Sequence, residues 1–193
     1  MPYLKGRYGR LTARVAVTLV VGVVAADPAR AQLGLFKRGS TSYQPFKDPA
    51  GRFTLEYPKD WRVLPGGGSV LVGFTHKDGE ASILVDYMKM RLALAPNEIG
   101  ETFAELELQT LRERQPTIKD ARANVVAAAS GPRIVIQFSK AGPTGTEQVT
   151  QYSIPRGEDL YRLVCTVRSD KVEKNGTILT HMVESFAVST PKE

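Results

Sequence analysis

The stretch DPAGRFTLEYPKDWRV, residues 48–63, decides the fold of this chain. Its first half has the two-residue period of a half-buried β-strand, with apolar side chains at Phe53, Leu55 and Tyr57. Pro58 ends that strand because proline has no backbone N–H to donate to a neighbouring strand. Trp61, the single tryptophan, follows the turn. We expect Tyr57 and Trp61 to pack in the core rather than to form a ligand platform, so the stretch predicts the start of a folded domain.

Six further runs downstream have the composition of strands, which gives about seven strands in all. They lie at residues 70–76, 81–88, 123–128, 134–139, 147–154 and 160–167. The corners between them are short and contain turn residues, such as Asp78-Gly79 and Gly157. Because parallel neighbours need crossovers of a dozen residues or more, these corners predict antiparallel pairing.

Two amphipathic segments predict helices that cover the sheet. The first begins at Pro96-Asn97 and ends before Pro116, and its apolar stripe contains Ile99, Phe103, Leu106 and Thr110. The second covers residues 170–185, where Asp170 and Glu173 have the spacing of a capping box. Strands and helices together predict the α+β class.

Both ends of this region resemble a known family. The opening is similar to that of the PsbP/Mog1-like superfamily, which includes the extrinsic photosystem II subunit and exported bacterial relatives, at Gly51, Phe53, Tyr57, Pro58 and Trp61. The close is similar at Ser185 and Phe186, so the resemblance covers residues 43–189. It implies an antiparallel sheet sandwiched by helices, used in relatives as a non-catalytic binding or assembly module. It implies no ligand.

Residues 1–31 have the order of a secretory signal peptide. A basic stretch precedes an apolar run at residues 15–26, and Ala29 and Ala31 form an A-x-A cleavage pattern before Gln32. A membrane anchor is the alternative, but 12 residues span about 18 Å as a helix, short of a hydrocarbon core of about 30 Å. Cleavage after Ala26 is an alternative. The pattern predicts a periplasmic or otherwise extracytoplasmic protein, or a thylakoid-lumen protein in a photosynthetic organism.

The sequence places the domain at residues 48–189, between a linker and a short tail. Residues 32–47 lack a sustained period and predict a flexible linker, in which Tyr43 and Phe46 are candidates to dock on the domain edge. Residues 190–193 are the tail. The whole chain carries +6, but residues 32–193 hold 21 basic and 19 acidic side chains, a net charge of +2. That balance argues against nucleic acid as a partner.

Few side chains suggest chemistry. The sequence contains no G-x-S-x-G, H-E-x-x-H, C-x-x-C or Walker A motif. Cys165 falls on the same face of its predicted strand as its apolar neighbours, which predicts a buried thiol. His76 and His181 lack the spacing of metal ligands, so they are weak candidates for a metal site, and no cofactor is predicted.

Three functions stay open. The first is a non-catalytic extracytoplasmic module, expected to be a monomer without a transmembrane anchor, that binds a protein partner or a membrane-associated complex. The second is a small-ligand or metal-ion carrier, and the third is an enzyme without a recognisable motif. For the first, we expect the partner to contact exposed loops, at Gly66, Gly67, Gly68, Thr144, Arg156 and Glu158.

Overall fold

Nine strands and two α-helices build the domain in the computed structural model, which describes residues 41–95, 98–128 and 131–189. The strands are β1 (Tyr43–Lys47), β2 (Phe53–Pro58), β3 (Arg62–Gly67), β4 (Val70–Thr75), β5 (Ala81–Leu94), β6 (Lys119–Val126), β7 (Arg133–Gly142), β8 (Gly145–Arg168) and β9 (Ala187–Val188). The helices are α1 (Glu101–Arg114) and α2 (Val172–Glu184), and a 3-10 turn at Ser169–Lys171 precedes α2.

The strands form two antiparallel sheets. The smaller has the order β1-β2-β9 and the larger the order β3-β4-β5-β8-β7-β6. Every pairing between the described strands is antiparallel, so the predicted α+β class with antiparallel pairing is confirmed. The sequence patterns did not predict β1, β3 or β9 as separate strands.

Strand β8 reverses direction within its length. Residues 145–153 pair with β7, whereas residues 157–167 pair with β5. Its two halves lie side by side. Gln148 Nε2 donates to Ser169 Oγ at 3.3 Å, whereas a straight strand would hold these two residues about 70 Å apart. Gly157, with φ of +59°, lies in the reversal and supplies the left-handed conformation. The predicted corner between residues 154 and 160 is therefore present inside one continuous strand.

The linker prediction is wrong for residues 43–47, which form β1. Phe46 lies opposite Leu55 of β2, and its ring lies 5.2 Å from that of Phe74. The strand is short and contains Pro45, which weakens its sequence pattern, yet an edge strand tolerates proline because one side needs no N–H donor. Residues 32–40, the leader with Ala29, Ala31 and Gln32, and the tail at 190–193 lie outside the described residues.

The helices differ from their predicted bounds. Pro96 and Asn97 lie outside the described residues, and α1 begins at Glu101. Its buried residues are Ala104, Leu108 and Leu111. Of the predicted stripe, Ile99 is buried and Phe103 packs on the same cluster, whereas Leu106 is 57% exposed. The predicted capping box before α2 is also wrong. Asp170 instead accepts from Arg168 Nε at 2.9 Å, a charge-assisted bond that outcompetes a cap.

The two helices cover opposite faces of the larger sheet. Leu163 and Cys165 of β8 belong to the cluster beneath α2 and the smaller sheet, whereas Val164 packs on the cluster beneath α1. Successive strand residues point to opposite faces, so the predicted sandwich is confirmed. Neither helix in the described ranges is both long and apolar enough to cross a membrane.

Asp48 closes the turn between β1 and β2, and its charge should make stability depend on acid pH. Its side chain is 3% exposed and accepts from Arg52 Nε at 2.7 Å and Nη2 at 2.9 Å. These side-chain bonds from Arg52 lower the pKa of Asp48, although burial opposes them. A lowered pKa means that the stabilisation is complete above the ordinary value of about 4 and is lost as pH falls through the lowered value.

As the pH falls below about 4, we therefore expect the free energy of unfolding to decrease less for Asp48→Asn than for the wild type. Urea unfolding followed by tryptophan fluorescence, at pH 7 and at steps below pH 4, measures this. Other carboxylates with lowered pKa titrate alike in both proteins, so the difference isolates Asp48. Identical slopes for the two proteins would contradict the expectation.

Candidate binding groove

The residues predicted to form partner-binding loops lie at opposite ends of the larger sheet. The loop prediction holds for Gly68 and Thr144, which are in turns, and is wrong for the others, because Gly66 and Gly67 belong to β3 and Arg156 and Glu158 to β8. Val70, which follows the glycine turn, lies opposite Asp86, and Leu94 further along β5 lies opposite Gly157 of the β8 reversal. Thr144 instead lies in the turn closed by the Gly142–Gly145 pair. The predicted residues therefore form two groups rather than one surface.

The motif residues form the framework of the domain. Phe53, Pro58, Trp61 and Phe186 are buried, and Tyr57 packs on Phe74 with ring centroids 4.8 Å apart. Ser185 Oγ accepts from the Glu56 backbone N at 2.9 Å and donates to the Met182 carbonyl at 3.0 Å. These contacts join β2, α2 and β9, so the residues that carry the family resemblance hold the fold together.

The two histidines have separate structural contacts. His76 is 7% exposed, and its Nδ1 accepts from the Asp78 backbone N at 3.2 Å. His181 lies 2.8 Å from a Glu56 carboxylate oxygen through Nε2, and its ring lies 3.9 Å from that of Tyr43. Within the described ranges, no three His, Cys, Asp or Glu side chains are grouped as a metal ion would require.

A groove of about 400 Å³ lies along one flank of α2. Helix α2 packs mainly on β2, β5 and β8, and Arg133 at the start of β7 donates to the Val183 carbonyl of α2 at 3.3 Å. We call this space the α2 groove. Among the residues that line it are Arg122, Gln137, Thr150 and Tyr152 from the strands and Gly176 and Thr180 from α2.

A row of polar side chains crosses the floor of the α2 groove. Thr150 lies opposite Gln137, which in turn lies opposite Arg122. Directly opposed residues of antiparallel strands point to the same face, so the three side chains are neighbours. Arg122 Nε donates to Gln137 Oε1 at 3.0 Å. The sheet thus presents hydroxyl, amide and guanidinium groups in one line.

A β-bulge turns Arg122 toward the groove. Lys119 lies opposite Ser139 and Arg122 opposite Gln137, so β6 has one more residue than β7 in this interval. Asp120 has φ of +53°, and its carboxylate accepts from Ser139 Oγ at 3.2 Å. Without the extra residue Arg122 would lie opposite Ile136, on the face that α1 covers, because a shift of one residue reverses the side of every later side chain.

The rest of the lining is mixed, with polar side chains at Gln148 and Thr180, apolar ones at Val149, Val167, Val172 and Leu179, and a thiol and a phenol at Cys165 and Tyr152. Cys165 is buried, which raises the pKa of its thiol and makes it a poor nucleophile. Burial also raises the pKa of Tyr152, whose hydroxyl has no hydrogen-bond partner among the described residues. The described lining contains no nucleophile paired with a general base.

Sequence patterns did not point to this groove. Gln137, Thr150 and Tyr152 belong to strands that were predicted, but alternation does not say which face a helix will cover. Arg122 precedes the residues predicted as a strand, and its direction depends on the bulge at Asp120. The one local signal is Gly176, a glycine inside a helical pattern, which often marks close approach or function.

Known proteins share this fold at low sequence identity. The solution structure of cyanobacterial PsbP, CyanoP, from Synechocystis sp. PCC 6803 has a TM-score of 0.61 at 13% identity, covering 79% of this chain and 95% of that one. The Ran-binding protein Mog1p of Saccharomyces cerevisiae has a TM-score of 0.53 at 12% identity, covering 77% and 96%. LpqN of Mycobacterium tuberculosis, described as involved in cell envelope biogenesis, has 0.51 at 12%, covering 80% and 94%.

Sequence comparison is more specific than the shared fold. No curated protein matches this chain. The PsbP family model, however, matches residues 41–188, an interval that begins just before β1 and ends with the last residue of β9. Because the match spans both sheets and both helices, the chain belongs to the PsbP family.

Proposed function

We propose that this chain is a non-catalytic protein-binding module that acts outside the cytoplasm, and that the α2 groove is its binding surface. The observation that carries the proposal is the groove itself, where polar side chains with unused hydrogen-bonding capacity lie beside apolar ones. Pockets with a few polar groups on an apolar lining are the usual form of binding sites.

Related folds and the leader support the same proposal. Mog1p, which shares the fold, is described as a Ran-binding protein, and LpqN is described in connection with the cell envelope. The basic, apolar and A-x-A order of residues 1–31 supports export, with cleavage before Gln32. We propose a protein partner in the envelope, which includes a membrane-associated complex.

Gly176 supports the assignment of the groove. It lies inside α2, where glycine costs about 1 kcal/mol relative to alanine. A Cβ at this position would meet no atom within 4 Å, so neither packing nor backbone conformation demands glycine. Alanine would stabilise the helix more than Gly176 does, yet glycine occupies this position in the groove lining. Glycine here therefore fits a position that leaves space for a ligand.

Substitutions at Gly176 test the proposal. We expect Gly176→Ala to raise the free energy of unfolding by about 0.5 to 1 kcal/mol, because alanine is the better helix former. Gly176→Trp should fill the groove and abolish recovery of cross-linked partners from the native envelope. Thr177→Trp, on an exposed residue of the same helix turn outside the groove lining, is the matched control and should retain them.

Partner recovery that is equal for Gly176→Trp and wild type, with both folded by circular dichroism, would remove the groove from the proposal. The groove volume also fits a small-ligand carrier, because small-molecule pockets measure about 300–1,000 Å³. Native mass spectrometry decides between the two. A stoichiometric small molecule held by the wild type and lost from Gly176→Trp would replace the protein-binding function with the carrier.

A further inference from the structure

We infer that the α2 groove recognises a carboxylate on an extended segment of its protein partner, and that Arg122 is the residue that binds it. The inference rests on the proposed function, which makes the groove a protein-binding surface, and names the chemistry of the partner. It depends on the donors of the polar row, on the charge of the lining, and on the bulge that places Arg122 there.

The polar row has donors to spare. The guanidinium of Arg122 has five N–H donors in a planar fork, and only its Nε bonds to Gln137. In the described part of the chain, its terminal nitrogens have no carboxylate or carbonyl partner. Since Gln137 accepts through Oε1, its Nε2 is left as a further donor beside Thr150. A ligand that matches this row must offer acceptors.

The charge of the lining favours an anion. Arg122 is the one charged side chain among the described lining residues, and none of them is acidic. An arginine fork binds a carboxylate through two parallel hydrogen bonds, which are stronger than neutral ones. The terminal nitrogens of Arg122 are therefore suited to a Glu or Asp side chain or to a chain terminus.

The opposite wall suits an aliphatic neighbour of that carboxylate. Val172 of α2 lines the groove and is 41% exposed, and Leu179, about two turns further along the helix, lines it as a buried residue. An extended peptide alternates its side chains, so an acidic residue toward Arg122 leaves its apolar neighbours for the helix wall. A segment with leucine on either side of a glutamate has this pattern.

Backbone strain at Asp120 is an independent observation in favour of the inference. A non-glycine residue with positive φ has a strained backbone, and such residues cluster at ligand clamps and active sites. Here the unusual conformation belongs to the bulge whose effect is to turn Arg122 from the α1 face to the groove. The strained backbone of Asp120 is thus part of the bulge that directs the Arg122 guanidinium into the groove.

A pair of peptides that differ only in charge tests the inference. The probes are acetyl-Leu-Glu-Leu-amide and acetyl-Leu-Gln-Leu-amide, titrated into the ¹⁵N-labelled mature chain at low salt. We expect the glutamate peptide to shift the amide resonances of Arg122, Gln137 and Thr150, and to bind about tenfold more tightly than the glutamine peptide. Its affinity should fall as salt is added.

Variants of Arg122 complete the test. Arg122→Gln should make the two peptides bind equally, and Arg122→Lys should keep only part of the preference, because a lysine lacks the two-pronged fork. Arg62→Gln removes an exposed arginine from β3, at the other edge of the sheet, and should leave the preference unchanged.

The outcomes separate this inference from the proposed function. Equal binding of both peptides in the groove, shifts confined to other surfaces, or no binding of either peptide would overturn carboxylate recognition by Arg122. Failure of the proposed function shows elsewhere, as unchanged partner recovery by Gly176→Trp. A partner lost from Gly176→Trp but retained by Arg122→Gln would leave the groove in place and remove Arg122 from recognition.

Discussion

Trp61→Ala is expected to lower the free energy of unfolding by about 3 to 5 kcal/mol, the range for truncating a large buried aromatic side chain. Trp61 is 5% exposed and belongs to the core beneath α2 and the smaller sheet. Its ring meets the edge of His76 with centroids 6.1 Å apart. Truncation would therefore open a cavity and also remove the aromatic contact of a buried histidine.

Urea unfolding followed by circular dichroism measures this loss, because the variant has no tryptophan. Leu106→Ala is the control, since this side chain is 57% exposed on α1 and its removal should change stability by less than about 0.5 kcal/mol. Fluorescence of the wild type gives a second check, because a buried indole emits at shorter wavelength than one in water. Water-like emission together with an unchanged midpoint would mean that Trp61 belongs to a binding surface.

Gly66→Ala is the second large effect, and we expect a loss of about 1 to 3 kcal/mol. Gly66 is in β3, where the backbone passes so close to β4 that a Cβ would press on the carbonyl groups of Val70 and Leu71. Those atoms are backbone, so they can move only if the hairpin shifts. The need for glycine here comes from close approach of two strands.

Gly67→Ala is the matched control for Gly66→Ala. The neighbouring glycine has no atom within 4 Å of a Cβ, so its replacement should cost less than about 0.5 kcal/mol. Thermal unfolding of both variants measures the difference. Equal stability of the two variants would contradict the close approach. Gly66 is also a poor position for a binding test, because damage to the hairpin would accompany any loss of a partner.

Local patterns were sufficient where the physical cause is local. The alternation that ends at Pro58 predicted β2, and the turn residues around Gly79 and Gly157 predicted antiparallel neighbours. These features depend on a few adjacent residues, such as the period of a strand or a missing N–H. The same local order carried the resemblance to the PsbP family, which the family match over residues 41–188 confirms.

Other features could not be predicted from these patterns, because they depend on distant contacts. Leu106 has the spacing of a buried residue, yet it is 57% exposed, while Leu108 and Leu111 are buried against the sheet. Tyr43–Lys47 is too short and proline-containing to read as a strand, and it becomes one only by pairing with β2. Pairing with β2 stabilises β1, although the residues of β1 have only a weak intrinsic preference for β structure.

By itself, the sequence determined the α+β class, the antiparallel pairing and the core position of the residues around Trp61, because period and turn chemistry are written in neighbouring residues. Tertiary structure alone decided where the α2 groove lies and what lines it. The groove forms where α2 meets strands that are distant from it in the sequence, and Arg122 enters it because a single extra residue at Asp120 reverses the direction of the following side chains.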